Sequence, residues 1–329
     1  MSGNMTKVAV LDDWQGVAKA SANWSELESK ASVTIFADAF RDENDAAAKL
    51  ADFDIVLSMR ERTPLPATLI NRLPKLRMLG MTGARNASLD TPACTARKIV
   101  VCNTQGGGYA DSATAELALG LLIAAARGIP RGDANMRAGI FQMGLPVGIG
   151  LAGKTIGIVG LGRLGGYMAQ YCLALRMKVI AWSQNLTAER CAEMGVTRVS
   201  KDALMRGSDA ISVHMVLSPR SRGLIGADDI AMMKPGTILI NTSRGPLIDG
   251  AAMLAAVNAG KIVAALDVYD HEPLPVDHPL RSAPHTVLMP HMGYGVKETW
   301  DGFYPQMIEN ALAFIGGKPV RVANPEVLT

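Results

Sequence analysis

The stretch that decides the fold is Thr155-Ile-Gly-Ile-Val-Gly-Leu-Gly-Arg-Leu-Gly165, in which an apolar run breaks into a glycine-rich turn. Thr155–Val159 is apolar and β-branched, which predicts a buried strand. The spacing Gly160-x-Gly162-x-x-Gly165 follows, and a helical pattern continues to Leu175. A strand before and a helix after are the context of a dinucleotide-binding turn. We therefore expect these three glycines to approach a pyrophosphate at a helix N-terminus.

The same glycine spacing occurs a second time, in Gly148-Ile-Gly-Leu-Ala-Gly153. This copy follows Pro146 and runs into a strand pattern, so it lacks both the preceding strand and the following helix. We expect no phosphate contact at this second copy.

Strand and helix patterns alternate on both sides of the deciding stretch, which predicts an α/β protein with parallel sheets. The second half predicts a doubly wound sheet of six strands near 155–159, 178–182, 210–214, 237–241, 263–267 and 286–289. The first half predicts another parallel sheet with strands at Lys7–Leu11, Val33–Phe36, Ile55–Leu57, Leu76–Leu79 and Ile99–Cys102. Long helical patterns cover Ala110–Ala126 and Val296–Ile315.

Composition limits the kinds of function that this chain can have. Of its 329 residues 49% are hydrophobic and 19% are charged, and the net charge is +3. This profile predicts a globular protein with no electrostatic reason to bind nucleic acid or a membrane surface. Because no run of about 18 apolar residues and no signal peptide is recognisable, we expect a cytoplasmic protein without a membrane span. The four cysteines show no metal-ligand spacing, so we expect them to be reduced and buried, with no bound metal.

Three chemically active residues follow predicted strands at their carboxyl ends, where function collects in open α/β sheets. An arginine such as Arg244 can hold a carboxylate and polarise a neighbouring carbonyl. A histidine such as His291 can move the proton that accompanies hydride transfer, and a glutamate such as Glu272 favours its protonated form. We expect these three residues to be catalytic.

Each of these residues also has a purely structural interpretation. Arg244 could be a helix-cap contact or a surface ion pair, Glu272 could be a solvated loop acid, and His291 could cap its loop. His214 also ends a predicted strand, and we interpret it as structural.

Taken in order, the motifs of this chain resemble those of the D-isomer-specific 2-hydroxyacid dehydrogenase family. The resemblance spans nearly the whole chain and is carried by Gly153–Gly165, Ala113-Thr-Ala-Glu116, His214-Met-Val-Leu-Ser218, Met233-Lys-Pro-Gly236, Asn241-Thr-Ser-Arg-Gly245, Leu266-Asp-Val268, Glu272-Pro273 and Pro290-His-Met-Gly293. It implies two Rossmann-like or flavodoxin-like domains with a cleft between them. The substrate domain would comprise residues 1–102 and 298–329, and the nucleotide-binding domain residues 103–297.

The resemblance also implies roles for individual residues. Arg244 would bind the carboxylate and carbonyl of the substrate, His291 would be the acid/base, and Glu272 would be its partner. The substrate would also meet the loops at Arg60 and Gly83 through backbone amides. The cofactor would be bound by Gly160, Gly162, Arg163, Leu164, Gly165, Ser183, Val216, Thr242, Ser243, Asp267 and Gly293. Of these, Arg163 and Leu164 would meet the pyrophosphate, and Thr242, Ser243 and Asp267 would lie near the nicotinamide carboxamide.

The segment 128–150 resembles the dimerisation arm of the family. The stretch 128–153, which contains this segment, is rich in Gly and Pro, which predicts a loop. The segment contains the apolar residues Ile140, Phe141, Met143 and Leu145, which are too many for a surface segment of a monomer that contacts no partner. We therefore expect a homodimer in which this arm crosses to the partner.

The chain departs from the family pattern where the cofactor is selected. Ser183 stands where an NAD-dependent enzyme usually has an Asp that binds the ribose hydroxyls. The preference between NAD(H) and NADP(H) is therefore left open. Val216 replaces a usual proline in its motif, which leaves the substrate open as well.

We predict an NAD(P)-dependent oxidoreductase that transfers a hydride between the cofactor and a small 2-oxo or 2-hydroxy acid. The alternative is a non-enzymatic, NAD(H)-sensing protein of the same fold, similar to a transcriptional corepressor, which could keep the same three residues. A change in nicotinamide absorbance on mixing with 2-oxo acids distinguishes the two.

Overall fold

The computed structural model describes residues 5–105 and 111–328. The chain divides into two compact units, unit 1 with residues 1–110 and 295–329, and unit 2 with residues 111–294. The predicted nucleotide-binding domain, 103–297, starts eight residues earlier and ends three residues later than unit 2. Each unit has its own parallel sheet, and both sheets agree with the predicted α/β class.

The sheet of unit 1 contains, within the described residues, five parallel strands in the order β2-β1-β3-β4-β5. They are β1 (Thr6–Val10), β2 (Ala31–Ile35), β3 (Ile55–Ser58), β4 (Met78–Met81) and β5 (Val100–Asn103). Every residue of β3 and β4 is buried, so both faces of the sheet are covered there, which explains their continuous apolar runs. All five predicted strands form; the fourth begins at Met78 instead of Leu76.

The helices of unit 1 include α1 (Ala18–Ser21), α2 (Ser25–Glu28), α3 (Glu43–Leu50), α4 (Ala67–Ile70), α5 (Thr91–Ala96) and the long C-terminal helix Lys297–Ile315. Acidic side chains begin two of them by accepting an otherwise unpaired N–H. Asp42 accepts from Asp45 at 2.8 Å, and Asp90 accepts from Ala93 at 2.9 Å. A short 3₁₀ helix covers Pro325–Leu328.

The sheet of unit 2 runs in the order β12-β11-β10-β9-β6-β7-β8, with all strands parallel. The strands are β6 (Thr155–Val159), β7 (Lys178–Trp182), β8 (Thr197–Arg198), β9 (Ala210–Val213), β10 (Thr237–Asn241), β11 (Ile262–Leu266) and β12 (Thr286–Leu288). The prediction of six strands is wrong, because β8 is a two-residue exposed edge strand with no apolar run to reveal it. The order reverses beside β6, and ligands bind at such a switch point.

The helices of unit 2 are, within the described residues, α6 (Ala113–Arg127), α7 (Ile129–Arg137), α8 (Arg163–Ala174), α9 (Ala188–Glu193), α10 (Lys201–Gly207), α11 (Ala227–Met232) and α12 (Gly250–Asn258). Short 3₁₀ helices cover Gly245–Leu247 and Pro279–Arg281. The start predicted for α6, Ala110, lies outside the described residues.

The prediction that the segment after Gly128 is a loop is wrong over Ile129–Arg137, which is helical. Gly128, with φ of +63°, ends α6, and Pro130 is tolerated in the first turn of α7 because N–H groups there have no intrahelical partner. In the described part of the chain, no single helix is long and apolar enough to cross a membrane. Only α6 and α7 together pass that test, and they are bent by 66°.

The four cysteines, Cys94, Cys102, Cys172 and Cys191, are unpaired and buried, and their burial confirms that part of the prediction. Burial raises the pKa of Cys94 and Cys172 to about 12, so these thiols stay protonated and unreactive. The described residues contain no group of three or more His, Cys, Asp or Glu that could hold a metal ion.

Candidate active site

The glycine-rich turn after β6 is shaped by close approaches that exclude side chains. Gly160 has φ of +98°, and a Cβ there would lie 2.5 Å from the carbonyl oxygen of His214. A Cβ on Gly165 would lie 2.0 Å from the carbonyl oxygen of Gly160, so only glycine lets α8 pack on the turn. At Gly162, by contrast, no such atom lies within 4 Å of the Cβ position. This leaves room for a phosphate group at the N-terminus of α8, so the turn fits a dinucleotide.

The first two residues of α8 have different surroundings. The guanidinium of Arg163 lies 2.6 Å from the carboxylate of Asp111, an ion pair that the sequence did not indicate because the two residues are far apart in the chain. The side chain of Leu164 packs against the core of unit 2, so only its main-chain N–H can face a phosphate.

A groove of about 700 Å³ extends from the glycine-rich turn past the carboxyl ends of β7 and β9. Ser183 and Val216, two of the predicted cofactor residues, both line it. His214 lines it as well, and its Nε2 lies 2.9 Å from the hydroxyl of Ser212. Burial lowers the pKa of His214 to about 4, so this ring is neutral at physiological pH, as the structural interpretation requires.

Arg244, Glu272 and His291 follow β10, β11 and β12, which are neighbours in the sheet. Since parallel strands end at the same edge, the three predicted catalytic residues are placed along one edge of unit 2. The sequence rule of examining strand ends therefore selected three residues that follow neighbouring strands of one sheet.

His291 and Glu272 are brought into direct contact. Nδ1 of His291 lies 2.5 Å from Oε2 of Glu272, and the main-chain N–H of Tyr269 donates to Oε1 at 2.8 Å. The hydroxyl of Tyr269 donates to the carbonyl of Met289 at 2.9 Å. This hydrogen bond connects the loop that carries Glu272 (the glutamate loop) to the loop that carries His291 (the histidine loop). Because Nδ1 faces the carboxylate, Nε2 is the ring nitrogen left to exchange a proton with a substrate.

Asp267 is fully buried and anchors the loop that carries His291. Its Oδ1 accepts from the N–H of Met292 at 2.7 Å, and its Oδ2 accepts from the N–H of Gly293 at 2.8 Å. Burial raises the pKa of Asp267, and these two N–H groups oppose the rise. A Cβ on Gly293 would lie 3.0 Å from Oδ2 of Asp267, so a larger residue there would require the side chain of Asp267 to shift by a few tenths of an ångström. The anchor holds His291 at φ of +55°, a conformation that non-glycine residues rarely adopt.

Arg244 lies in a loop whose main chain touches the glutamate loop. Asn241 donates through Nδ2 to the carbonyl of Arg244 at 2.9 Å, and the guanidinium of Arg244 donates to the carbonyl of Ser243 at 2.7 Å. A Cβ on Gly245 would lie 2.2 Å from the carbonyl carbon of Tyr269, so position 245 requires glycine. This contact fixes Arg244 relative to the loop of Glu272.

The two residues between Asn241 and Arg244 differ in how their hydroxyls are used. Ser243 donates to the carbonyl of Val213 at 2.8 Å, so its hydroxyl is committed to the end of β9. Thr242 is buried, and its hydroxyl has no hydrogen-bond partner among the described residues. A buried hydroxyl usually has a partner, so a polar ligand group such as a carboxamide fits this position.

In unit 1, the two predicted substrate-binding residues are adjacent. A Cβ on Gly83 would lie 2.5 Å from the guanidinium of Arg60. The N–H of Arg60 donates to Thr82 Oγ1 at 2.7 Å, and that of Gly83 donates to Thr104 Oγ1 at 2.9 Å. Both amides are therefore already used within unit 1.

A cluster that the sequence did not single out follows β1 of the same unit. Asp12 is fully buried with φ of +61°, and its Oδ1 accepts from the hydroxyl of Thr63 at 2.8 Å. The guanidinium of Arg62 donates to the carbonyl of Asp12 at 2.7 Å and lies 4.7 Å from the ring centroid of Trp14. Burial raises the pKa of Asp12 to about 6. The signal that could have found it is Leu11-Asp-Asp-Trp14, which directly follows a predicted strand.

Comparison with known proteins agrees with this architecture. Residues 119–293, all within unit 2, match the family described as D-isomer specific 2-hydroxyacid dehydrogenase, NAD binding domain. The chain belongs to the D-isomer specific 2-hydroxyacid dehydrogenase family, which confirms the resemblance inferred from its motifs.

Two curated relatives and one solved structure show the extent of the similarity. The chain is 38% identical to the D-3-phosphoglycerate dehydrogenase of Archaeoglobus fulgidus over 80% of its own length and 50% of that protein. It is 36% identical to the glyoxylate reductase of Thermococcus litoralis, over 79% and 81%. A phosphoglycerate oxidoreductase structure from Vibrio cholerae O395 matches with a TM-score of 0.89 and 32% identity, over 95% and 100%. The chain thus spans about half the length of the D-3-phosphoglycerate dehydrogenases that it matches.

Proposed function

We propose that this protein is an NAD(P)-dependent oxidoreductase that interconverts a small 2-oxo acid and the corresponding 2-hydroxy acid. The observation that carries the proposal is the 2.5 Å contact between His291 and Glu272, at the same sheet edge as Arg244. The names of the relatives, a D-3-phosphoglycerate dehydrogenase and a glyoxylate reductase, support this substrate class. When NAD(P)(H) is bound, its nicotinamide supplies or accepts the hydride that C2 of the acid gains or loses.

Arg244 binds the substrate in this proposal. Its planar guanidinium can pair with the carboxylate through two N–H groups and polarise the neighbouring carbonyl. Polarisation favours hydride arrival at C2, because negative charge then develops on the carbonyl oxygen. The participation of Arg60 and Gly83 in substrate binding stays a prediction.

His291 moves the proton in this proposal. In the direction of reduction, Nε2 donates a proton to the substrate oxygen, and in the direction of oxidation it accepts that proton. Glu272 fixes the orientation of the ring through its contact with Nδ1. Asp267 acts as a positioning residue, since it holds the main chain directly after His291.

The cofactor is held in this proposal by the glycine-rich turn and the groove beside it. Gly160 and Gly165 shape the turn, and the open space at Gly162 admits the pyrophosphate next to the main-chain N–H groups of Arg163 and Leu164. The further cofactor contacts assigned to Ser183, Val216, Thr242, Ser243, Asp267 and Gly293 stay predictions.

The experiment that tests this function is an absorbance assay of NADH or NADPH with glyoxylate, pyruvate, hydroxypyruvate and 3-phosphohydroxypyruvate. His291→Asn should lower kcat for reduction by at least about 100-fold, because the proton donor is lost. His285→Asn is a matched control, since His285 is exposed and has a similar φ of +54° that Asn also tolerates. Nucleotide binding without turnover of any acid would favour the NAD(H)-sensing alternative.

We also propose a homodimer formed through segment 128–150, in a cytoplasmic protein. Phe141 is 71% exposed and Val147 is 97% exposed, and a monomer gains nothing from such apolar exposure. Phe141→Asp combined with Val147→Asp should convert the dimer to a monomer in light scattering. Val276→Asp is the control, because Val276 is 91% exposed but lies outside the arm. A monomer mass for the unmodified protein at micromolar concentration would contradict the proposal.

A further inference from the structure

Two arginines and no carboxylate are found among the described residues that line the groove beside the glycine-rich turn. Arg190, on α9, and Arg220, in the loop after β9, share this groove with Ser183, which directly follows β7. In a dinucleotide-binding sheet, the end of this strand lies beside the adenosine ribose. An acid at that position would bind the ribose hydroxyls and repel an added phosphate, and Ser183 carries no such charge.

Both arginines are available to an anion in the groove. The side chain of Arg190 is 46% exposed, and its ion pair with Glu193 is long, 3.3 Å, and formed with a carboxylate that is 66% exposed. Such a surface pair contributes little, so a phosphate can replace it. No ion-pair partner of Arg220 lies among residues 5–105 and 111–328.

We propose that Arg190 and Arg220, together with Ser183, form a subsite for the 2′-phosphate of NADP(H). This inference rests on the proposed dinucleotide-dependent function and names the cofactor for it. A phosphate monoester carries nearly two negative charges at neutral pH and offers three acceptor oxygens. Guanidinium groups bind such oxygens in pairs, and the hydroxyl of Ser183 can add a hydrogen bond. The protein therefore prefers NADPH to NADH.

The test is isothermal titration calorimetry, which measures the dissociation constants of three adenosine nucleotides for the full chain without substrate. Adenosine 2′,5′-bisphosphate should bind at least about tenfold more tightly than adenosine 5′-monophosphate, the effect of one charge-assisted hydrogen bond. Adenosine 3′,5′-bisphosphate should lack most of this increase in affinity over adenosine 5′-monophosphate. Because Trp182 also lines the groove, tryptophan fluorescence provides a second readout.

Variants assign the preference to particular residues. Arg190→Gln and Arg220→Gln should each remove most of the preference for the 2′-phosphate and leave the affinity for adenosine 5′-monophosphate unchanged. Ser183→Asp should reverse the preference by charge repulsion. Arg222→Gln is the matched control, because Arg222 is exposed in the same loop as Arg220 but does not line the groove. Thermal midpoints confirm that each variant is folded.

The outcomes separate this inference from the proposed function. Equal affinity for all three nucleotides would overturn the 2′-phosphate subsite and leave an NAD(H)-dependent enzyme. Equal gain from a 2′- and a 3′-phosphate would also overturn it, because attraction would then depend on charge alone. A preference that survives when Arg190→Gln and Arg220→Gln are combined in one protein would overturn the assignment to these residues. If no nucleotide binds, the proposed function and the subsite both fail.

Discussion

Glu272 contacts Nδ1 of His291 at 2.5 Å, and its second carboxylate oxygen accepts the main-chain N–H of Tyr269. The carboxylate is thus held by the backbone of its own loop as well as by the histidine ring. A carboxylate held in this way fixes the orientation of the ring and leaves Nε2 as the nitrogen that we propose meets the substrate.

The first prediction concerns this pair. Glu272→Gln should slow reduction and lower kcat/KM for the 2-oxo acid. An amide has one acceptor oxygen where the carboxylate has two, so it cannot accept from both the ring of His291 and the N–H of Tyr269, and the ring loses its fixed orientation. Steady-state rates with a 2-oxo acid test this. Glu298→Gln, at an exposed acid, is the control, and an unchanged kcat/KM in Glu272→Gln would argue against the pairing.

The second prediction concerns Arg244. Arg244→Lys should lower kcat/KM for the 2-oxo acid by at least about 2 kcal/mol in transition-state free energy, because an ammonium cannot form the paired contact of a guanidinium. Arg206→Lys, at an exposed position of α10, should behave like the unmodified protein. Near-normal kinetics in Arg244→Lys would remove this residue from the mechanism.

The third prediction concerns the anchor of the histidine loop. Asp267→Asn should lower kcat by at least about tenfold and leave the substrate KM nearly unchanged. An amide offers one acceptor oxygen, so either Met292 or Gly293 loses its partner and the loop is released. The split between kcat and KM distinguishes loss of positioning from loss of substrate binding. A parallel rise in KM would show that Asp267 itself contributes to binding the substrate.

The fourth prediction concerns the stability of unit 1. Burial raises the pKa of Asp12 from 3.8 to about 6, so the folded state holds this proton more tightly than the unfolded chain. Stability due to this group therefore falls as pH rises between these two values and stays reduced above them. Asp12→Asn should remove that loss and stabilise the protein near neutral pH by up to about 2–3 kcal/mol, with little gain near pH 4.

Denaturant unfolding of the two proteins at several pH values measures this difference. Asn is also compatible with the positive φ at position 12, so the backbone is retained. Asp38→Asn, at an exposed acid, should show no pH-dependent gain. An equal gain for Asp12→Asn at pH 4 and at neutral pH would mean that ionisation of Asp12 is not the cause.

The sequence was sufficient to predict the sheets, because strands buried on both faces are short, continuous apolar runs. The same runs placed Arg244, Glu272 and His291 at strand ends. The sequence did not reveal β8, because this strand is exposed. It also did not reveal α7, because the glycine and proline there suggested a loop. Pro130 does not prevent helix α7, because proline in a first turn is compatible with a helix.

Contacts between distant residues were beyond prediction from one sequence. Asp267 meets Met292 and Gly293, which are 25 and 26 residues away, only because β11 and β12 are neighbours in the sheet. Asp12 is buried by chain segments far from it in sequence, including Thr63. The acidic pair after β1 was recognisable as a strand-end feature, but its burial depended on the tertiary fold.

The close approach of Gly245 to Tyr269 has a mechanical consequence. Their main chains are in contact, so no compressible side chain lies between the loop that carries Arg244 and the glutamate loop. Neither loop can shift without pushing the other, so the two move as one unit. We therefore expect new substrate ranges to evolve through residues that surround this unit, since a change within it would displace both Arg244, the proposed substrate-binding residue, and Glu272, which contacts the proposed proton donor His291.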